Sequence, residues 1–327
     1  MNPAREGASI SVVIPTYRSE PNLPTLVERL TAALSRAPYS YEVIFVDDSS
    51  PDNSLEVLRG ICGRDDRVKV VSLSRNFGQQ VATSAGLRYA TGDAVIVMDD
   101  DLQDPPEFIP ELLAKWEEGY DVVYAIRRSR KENFVKRFGY KVYYRMMTKM
   151  SYIQIPKDSG DFGLMDRRVV DIINCMPERT RFMRGIRAWV GFRQIGIPCD
   201  RAERYRGRPA YDFFNILKLA SSGVFAFSDL PLRISSAVGF VISMLAFLGM
   251  ILTLIQKAVT YFYPRNPIAI WPGFSTIVLS ILFLGGIQLI GIGILGEYVA
   301  KIYNEVKQRP LFLVKEKIGI ADRDPRG

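Results

Sequence analysis

The sequence predicts an α/β protein whose doubly wound, mostly parallel sheet is followed by interfacial amphipathic helices and a two-helix transmembrane hairpin. Three observations lead to this prediction. Short apolar runs alternate with segments of helical periodicity over the first 125 residues, as in strands joined by crossover helices. Arginines cluster just after residue 200, and two long uncharged runs lie between residues 234 and 296.

Five strands and four helices are predicted before residue 127. The strands are apolar runs that end in polar or proline-containing loops, and they cover residues 9–15, 41–46, 68–73, 94–98 and 121–125. The helices show apolar residues at helical spacing or follow residues that favour caps. They are expected at about residues 22–36, from about residue 54, at 76–90 and at 106–116.

An acidic stretch follows the fourth strand. It contains Asp99, Asp100 and Asp101, and then Gln103 and Asp104. Ligands of open α/β sheets bind outside the carboxyl ends of the strands, where this charge is predicted to lie. Asp99 and Asp101 point the same way on an extended backbone, and with Gln103 they suit Mg²⁺ or Mn²⁺ and a diphosphate. A solvated acidic turn with Asp104 as a helix cap is the alternative interpretation.

Basic residues follow the fifth strand. Arg127 and Arg128 are predicted at the same edge as the acidic stretch, where they would hold an anion. The remaining basic residues up to residue 145 also fit a solvated helix face. Asp161 lies in the segment 158–162, Asp-Ser-Gly-Asp-Phe, which is predicted to be a flexible turn.

Composition narrows the possible functions. The chain of 327 residues has a net charge of +8 and no histidine, which excludes His-dependent triads and His metal sites. Its three cysteines are widely spaced, which argues against a disulfide framework. Neither a G-x-G-x-x-G fingerprint nor a P-loop is present. The basic excess fits an anionic membrane or a phosphorylated substrate, and the absence of an aromatic-interleaved basic platform argues against nucleic acid.

The second half of the chain is predicted to meet a membrane. Residues 211–228 carry two charges and follow an arginine cluster, so interfacial helices are expected, with a buried core helix as the alternative. Residues 234–256 and 274–296 carry no charge, and at about 1.5 Å per residue each crosses a hydrocarbon core of about 30 Å. Basic residues flank this pair, so both termini are predicted to be cytoplasmic. The glycines of the second run allow close helix packing and a possible homo-oligomer.

These observations divide the chain into four parts. Residues 1–210 are predicted to form a cytoplasmic catalytic domain, with no signal-peptide pattern before it. Residues 211–230 are the predicted interfacial helices. Residues 231–300 hold two predicted membrane helices, at about 233–257 and 273–297. Residues 301–327 are a predicted cytoplasmic tail.

Several short motifs together resemble one enzyme family. They are Ser11-Val-Val-Ile-Pro-Thr-Tyr17, Val46-Asp-Asp-Ser-Ser-Pro-Asp52, Leu73-Ser-Arg-Asn-Phe-Gly78, Met98-Asp-Asp-Asp-Leu-Gln-Asp-Pro-Pro106, Gly160-Asp-Phe162 and Gly296-Glu-Tyr298. With them the chain resembles the family-2 glycosyltransferases of GT-A fold that make polyprenyl-phosphate sugars, and within these the bactoprenol glucosyltransferases and dolichyl-phosphate mannose synthases. The resemblance runs through nearly the whole chain, including both uncharged runs.

The resemblance implies a role for each matching residue. Asp161 is implied as the catalytic residue. The residues implied to bind the nucleotide-sugar donor are Pro15, Tyr17, Glu20, Asp48, Asp99 and Arg204. Arg127 and Arg137 are implied at the acceptor phosphate. The metal, Mg²⁺ or Mn²⁺, is implied at Asp99, Asp101 and Gln103.

Three positions depart from the family pattern. Ser19 stands where the family has glutamate, with Glu20 one place later. Gly163 stands where an arginine is common, and Pro209-Ala210 replaces a Ser/Thr-Lys pair. A donor-phosphate lysine is therefore missing from the pattern, and Arg206 or Arg208 is a candidate substitute.

The implied reaction is an inverting sugar transfer to polyprenyl (undecaprenyl) phosphate at the cytoplasmic membrane face. UDP-glucose is the first expectation for the donor; GDP-mannose, a UDP-modified arabinose and a UDP-N-acetylhexosamine remain open. Because a phosphate monoester is largely ionised near neutral pH, Asp161 is expected to position groups or to organise the metal rather than to remove a proton. A processive polysaccharide synthase and a catalytically dead membrane scaffold are the rival hypotheses.

Overall fold

The computed structural model describes residues 7–127, 159–179, 181–200, 230–262 and 273–320. These residues form two compact units. The first contains the described residues up to 200 together with those from Arg309 onwards, and the second consists of two long helices. The predictions for Arg137, for Arg204 and for interfacial helices at 211–229 lie outside the described residues.

The first unit is built on one sheet of eight strands. In chain order they are β1 (Ser9–Thr16), β2 (Ser40–Asp47), β3 (Val68–Leu73), β4 (Ala94–Val97), β5 (Val122–Arg127), β6 (Ser159–Asp166), β7 (Gln194–Cys199) and β8 (Val314–Ile318). Their spatial order is β7-β5-β6-β4-β1-β2-β3-β8. The five strands predicted from apolar runs are all present, and the structure adds β6, β7 and β8.

The sheet is mixed: parallel strand pairs are the majority, as predicted, but antiparallel pairs are also present. The β1–β2, β1–β4, β2–β3 and β5–β7 pairs are parallel, whereas β3–β8, β4–β6 and β5–β6 are antiparallel. The added strands account for the difference, because β6 inserts between two predicted strands and β8 covers an edge. A mixed α/β sheet agrees with the GT-A expectation.

Pro15 lies inside β1 and does not end it. The carbonyl of Val13 accepts a hydrogen bond from the backbone N–H of Met98 at 3.1 Å. The backbone N–H and C=O groups of the odd-numbered residues of β1 therefore point towards β4. Pro15 therefore faces a position beyond the end of β4 at Val97. No ladder hydrogen bond is lost there, which is how a sheet tolerates proline.

Helices cover both faces of the sheet. They are α1 (Leu23–Leu34), α2 (Ser54–Cys62), α3 (Gln79–Tyr89), α4 (Ile109–Glu117, preceded by a 3-10 turn at Pro106–Phe108), α5 (Arg167–Cys175) and α6 (Met183–Trp189). One core joins α1, α2 and α4 to the sheet. The other core joins α3, α5 and α6 to the opposite face.

The second unit contains α7 (Leu230–Phe262) and α8 (Gly273–Val306). They contact each other where a Cβ added to Gly291 would lie 3.1 Å from the Ser235 hydroxyl. Both helices extend beyond the predicted spans 233–257 and 273–297. Among the described residues, one segment, Phe283–Val306, is long and apolar enough to cross a membrane, and α7 holds a shorter apolar segment, Ser235–Gly249. The two-span hairpin stays a prediction.

The residues after α8 return to the first unit. Strand β8 pairs antiparallel with β3, from Val314 opposite Leu73 to Ile318 opposite Val70. Arg59 of α2 makes an ion pair with Glu316 of this strand. The segment predicted as a tail therefore starts inside α8 and includes a strand of the sheet.

Candidate active site

The predicted acidic edge is present at the carboxyl end of β4. Asp99 and Asp101 are half-buried, while the carboxylate of Asp100 accepts the N–H of Tyr17 at 3.3 Å. Burial raises the pKa of Asp100 to about 6 against the hydrogen bonds from Ser19 and Tyr17. Asp100 thus links the loops after β1 and β4, and its two neighbours remain at the edge.

A left-handed residue holds this acidic loop in place. Leu102 has φ 59°, a conformation that costs an L-residue about 1–2 kcal/mol. Its side chain is only 2% exposed and lies in the core with Phe108. Burial of a leucine offsets the backbone cost, so the loop turns sharply directly after these carboxylates.

The donor atoms of this edge fit a divalent metal. Asp99 and Asp101 offer carboxylate oxygens, and Asp101 also accepts the backbone N–H of Gln103 at 3.1 Å. Among the described residues no group of three or more His, Cys, Asp or Glu side chains could hold a metal ion. Mg²⁺ needs only one or two carboxylates when substrate phosphates complete its shell, so this oxygen set is sufficient with a diphosphate.

Three of the predicted nucleotide-binding residues, Tyr17, Glu20 and Asp48, lie in the loops after β1 and β2. Tyr17 is 41% exposed. The carboxylate of Glu20 accepts the backbone N–H of Asn53 at 3.2 Å. Asp48 is buried and accepts the N–H groups of Phe77 and Gly78 at 2.7 and 2.8 Å. In this structure Glu20 and Asp48 therefore join loops to one another, and Pro15 is buried in β1.

Asp161 lies in a strand, which corrects the predicted flexible turn. It occupies β6, which pairs with β4 at residues 163–166 and with β5 at residues 163–165 and at Ser159, so the chain stays extended through the register shift that contains Asp161. Residues 163–165 pair with both neighbours. The carboxylate of Asp161 is therefore set on a central strand of the sheet.

Two arginines of α6 surround Asp161. Arg184 donates from Nε to Oδ1 at 2.8 Å and from Nη2 to Oδ2 at 3.1 Å. Arg187 is buried, donates to the carbonyl of Gly160 at 3.1 Å and lies over the ring of Tyr124. Burial raises the pKa of Asp161, but the charge and hydrogen bonds of Arg184, with Arg187, lower it overall. Asp161 is an ionised anchor for arginines.

The first residues of α3 reach both carboxylates. Gln79 Nε2 donates to Asp99 Oδ1 at 2.6 Å, and Gln80 Nε2 donates to Asp161 Oδ2 at 3.3 Å. Sequence reasoning missed Gln79, Gln80, Arg184 and Arg187. The one available signal was the spacing of Arg184 and Arg187, three residues apart on a helix.

Two departures from the family pattern have a structural setting here. A Cβ on Gly163 would lie 2.6 Å from the carbonyl oxygen of Val123, so the strand contact leaves no room for an arginine. Ser19 is buried, and its N–H donates to the Ser54 hydroxyl at 3.1 Å. The third departure, at 209–210, lies outside the described residues.

Arg127, which is predicted at the acceptor phosphate, ends β5, where its backbone pairs with Cys199.

Several known proteins resemble this chain over nearly all of its residues and nearly all of their own. The model of the family "Glycosyl transferase family 2" matches residues 11–173. An uncharacterised glycosyltransferase of Synechocystis sp. is 46% identical over 95% of this chain and 96% of its own length. One of Bacillus subtilis is 42% identical over 96% and 95%. The SfII prophage-derived bactoprenol glucosyl transferase of Shigella flexneri is 39% identical over 94% and 97%.

The similarity to these relatives extends beyond the sheet, because few residues of this chain or of each relative lie outside the matched region. The acidic edge after β4 and Asp161 on β6 lie within residues 11–173, which the family model matches. The chain belongs to glycosyl transferase family 2 and is a glycosyltransferase.

Proposed function

We propose that this enzyme transfers a sugar from a nucleotide-diphosphate sugar, UDP-glucose in the first instance, to polyprenyl phosphate at the cytoplasmic face of a membrane. The observation that carries the proposal is the acidic edge of the sheet, where adjacent glutamines at the start of α3 contact Asp99 after β4 and Asp161 on β6. The 39% identity to a bactoprenol glucosyl transferase over 94% of the chain supports the lipid acceptor.

The reaction is one displacement. An oxygen of the acceptor phosphate bonds to the anomeric carbon as the bond from that carbon to the nucleoside diphosphate breaks, and the diphosphate leaves with the electron pair. Asp99, Asp101 and Gln103 would hold a divalent cation, which stabilises the charge that accumulates on the leaving group. In-line attack inverts the anomeric centre, so an α-linked donor gives a β-linked lipid product.

The residues of this chain orient the partners. Pro15 of β1 and the loops after β1 and β2, with Tyr17, Glu20 and Asp48, are the proposed nucleoside side of the site. Arg204 is proposed for the donor phosphates, and Arg127 and Arg137 are proposed for the acceptor phosphate. Asp161 supplies the counter-charge for Arg184 and Arg187 and fixes the Arg184 guanidinium through two hydrogen bonds.

A membrane location follows from the same proposal. Segment Phe283–Val306 is apolar and long enough to cross a bilayer, and α7 with its 33 residues is about 50 Å long at 1.5 Å per residue. We place both helices in the inner membrane as a hairpin. The acceptor headgroup would then lie at the interface and its chain beside the helices.

The test is a donor screen with purified full-length protein and undecaprenyl phosphate in detergent, with product mass as the readout. UDP-glucose with Mn²⁺ or Mg²⁺ is expected to give a hexosyl lipid phosphate, and EDTA is expected to abolish it. Asp99→Asn and Asp101→Asn are expected to lose at least the about 10- to 100-fold in metal affinity or activity that loss of a ligand's hydrogen-bond partner costs. Transfer from another donor replaces the sugar assignment. Absence of transfer from every donor overturns the proposal in favour of a dead scaffold.

A further inference from the structure

We propose that Gln79 and Gln80 are positioning residues that fix the distance and orientation between the metal-side carboxylate of Asp99 and the arginine-binding carboxylate of Asp161. The inference rests on the proposed function and names a part of the site that the family motifs do not assign. Neither glutamine is proposed to touch the reacting atoms.

The loop before α3 determines the position of the two glutamines. Asp48 accepts the N–H groups of Phe77 and Gly78, and Gly78 has φ 94°, a backbone conformation that favours glycine. The helix begins at the next residue. Asp48 therefore determines where the side chains of Gln79 and Gln80 start, and its buried position in the loop after β2 makes that point rigid.

Helix α3 packs tightly against the sheet. A Cβ added to Gly86 would lie 2.2 Å from a side-chain methyl of Val13, so this helix approaches β1 more closely than any larger residue allows. Residues 82–87 are all buried. A helix packed this closely cannot rotate without overlap, and its first turn is fixed with it.

The nitrogen and the oxygen of the Gln80 side-chain amide both form hydrogen bonds. Nε2 donates to Asp161, and Oε1 accepts the N–H of Met183, the first residue of α6, at 2.8 Å. Reversing the amide would turn its oxygen towards a carboxylate. A glutamate at this position would place two negative charges together. The amide thus joins Asp161 to α6, which also carries Arg184.

The contacts of Gln79 and Gln80 connect two neighbouring strands. Gln79 reaches the carboxylate that follows β4, and Gln80 reaches the one on β6, which is the next strand in the sheet. The two glutamines are adjacent on one rigid helix turn. Their amides therefore set two carboxylates of neighbouring strands in a fixed relation, which a displacement at the anomeric carbon requires.

The experiment compares Gln79→Met and Gln80→Met, which keep side-chain length and remove the amide. Two readouts are measured on full-length protein: Mn²⁺ affinity by electron paramagnetic resonance with UDP and no acceptor, and kcat at saturating Mn²⁺. Because partners of metal ligands are worth about 10- to 100-fold, Gln79→Met is expected to weaken Mn²⁺ binding by about 10-fold. Gln80→Met is expected to lower kcat by a similar factor and to leave Mn²⁺ affinity unchanged.

Arg88→Ala, in the last turn of the same helix, is the matched control and is expected to leave both readouts unchanged. A merely structural role would move the thermal midpoint and both readouts together in the two glutamine variants, and that result overturns the inference. So does wild-type behaviour of both variants. If the wild type transfers no sugar at all, the proposed function fails, while the Mn²⁺ measurement still decides the role of Gln79.

Discussion

Asp161 is held in a way that is unusual for a general base. Its carboxylate accepts two hydrogen bonds from Arg184 and one from Gln80, and its side chain is 9% exposed. These partners lower its pKa, so the group is ionised and its oxygens are occupied. An acceptor phosphate with a second pKa of about 6 has little need of a base. Both facts favour a positioning role.

Asp161→Asn is therefore expected to lose activity at every pH. The amide keeps the size of the side chain but leaves Arg184 and Arg187 without their buried counter-charge, which costs about 3–5 kcal/mol for a buried ion pair. The initial rate of transfer is measured from neutral to alkaline buffer. Asp171→Asn, at an exposed aspartate paired with Arg167, is the control and should match the wild type. Recovery of Asp161→Asn in alkaline buffer would show that a base is needed.

At the scale of single residues, local sequence identified carboxylates but not their partners. Asp99 and Asp101 follow an apolar run directly, and strand geometry predicts their common direction. Gln80 and Asp161 are 81 positions apart, and their contact depends on where α3 sits on the sheet. No spacing rule contains that information, since it arises from the packing of Gly86 on Val13.

At the scale of elements, β6 is the strand on which the site depends. It lies between β4 and β5, and its backbone approaches β5 so closely that a Cβ on Gly163 would lie 2.6 Å from the Val123 oxygen and 3.0 Å from the Tyr124 Cα. Both atoms belong to the backbone, so neither can move alone. Glycine at 163 is thus a condition for the pairing that carries Asp161.

Gly163→Ala is expected to lower the thermal midpoint and the activity together. Overpacking of this kind costs about 1–3 kcal/mol, and the strand shift moves Asp161, two residues away. The matched control is Gly60→Ala in α2, where a Cβ meets nothing within 4 Å. Alanine in a helix is favoured over glycine by up to about 1 kcal/mol, so the control should be at least as stable as the wild type. An unchanged midpoint for Gly163→Ala would contradict the steric argument.

Elements with continuous apolar runs were predictable, and those with charges or glycines were not. Strands β1 to β5 are apolar and lie inside the sheet or against helices. Strand β8 has the sequence Val-Lys-Glu-Lys-Ile, which is what an edge strand tolerates but which also fits a polar tail. Strand β6 contains two glycines and two aspartates, and its pairing with two neighbours decides its conformation.

At the scale of the whole molecule, a buried polar cluster joins four parts of the sheet at the end opposite the site. The carboxylate of Glu42 on β2 accepts from the Ser11 hydroxyl of β1 at 2.6 Å, from Lys69 of β3 at 2.5 Å, and from the N–H and hydroxyl of Thr91 before β4 at 2.8 Å. Burial raises the pKa of Glu42, but these hydrogen bonds outweigh it and lower the pKa from 4.5.

Glu42→Gln is expected to destabilise the first unit in a pH-dependent way. Because the folded pKa is lowered, the carboxylate contributes its stability above the ordinary value and loses it as the pH falls through the folded value. At neutral pH the loss should reach about 3 kcal/mol, measured as a lower thermal midpoint, and it should shrink on acidification. Glu107→Gln, in an exposed pair with Arg29, should cost at most about 1 kcal/mol. A loss independent of pH would exclude the charge as its cause.

The path of the chain restricts its membrane topology. Strands β7 and β8 belong to the same sheet, and the segment between them contains α7 and α8. A chain that leaves a sheet and returns to it crosses a bilayer an even number of times. If Phe283–Val306 is a span, a second crossing is required, and α7 is the described helix long enough to provide it.

Cysteine labelling tests this topology with the full-length chain. In a background with Cys62, Cys175 and Cys199 replaced by serine, single cysteines are placed by Asp66→Cys in the first unit, Tyr261→Cys near the end of α7 and Gln308→Cys after α8. An impermeant maleimide is expected to label the Asp66 and Gln308 variants in inverted vesicles and the Tyr261 variant only in intact cells. Because β8 returns the chain to the sheet, labelling of Asp66 and Gln308 variants from opposite sides would contradict an even number of crossings. Labelling of all three from one side would contradict the hairpin while leaving the sheet and the site unaffected.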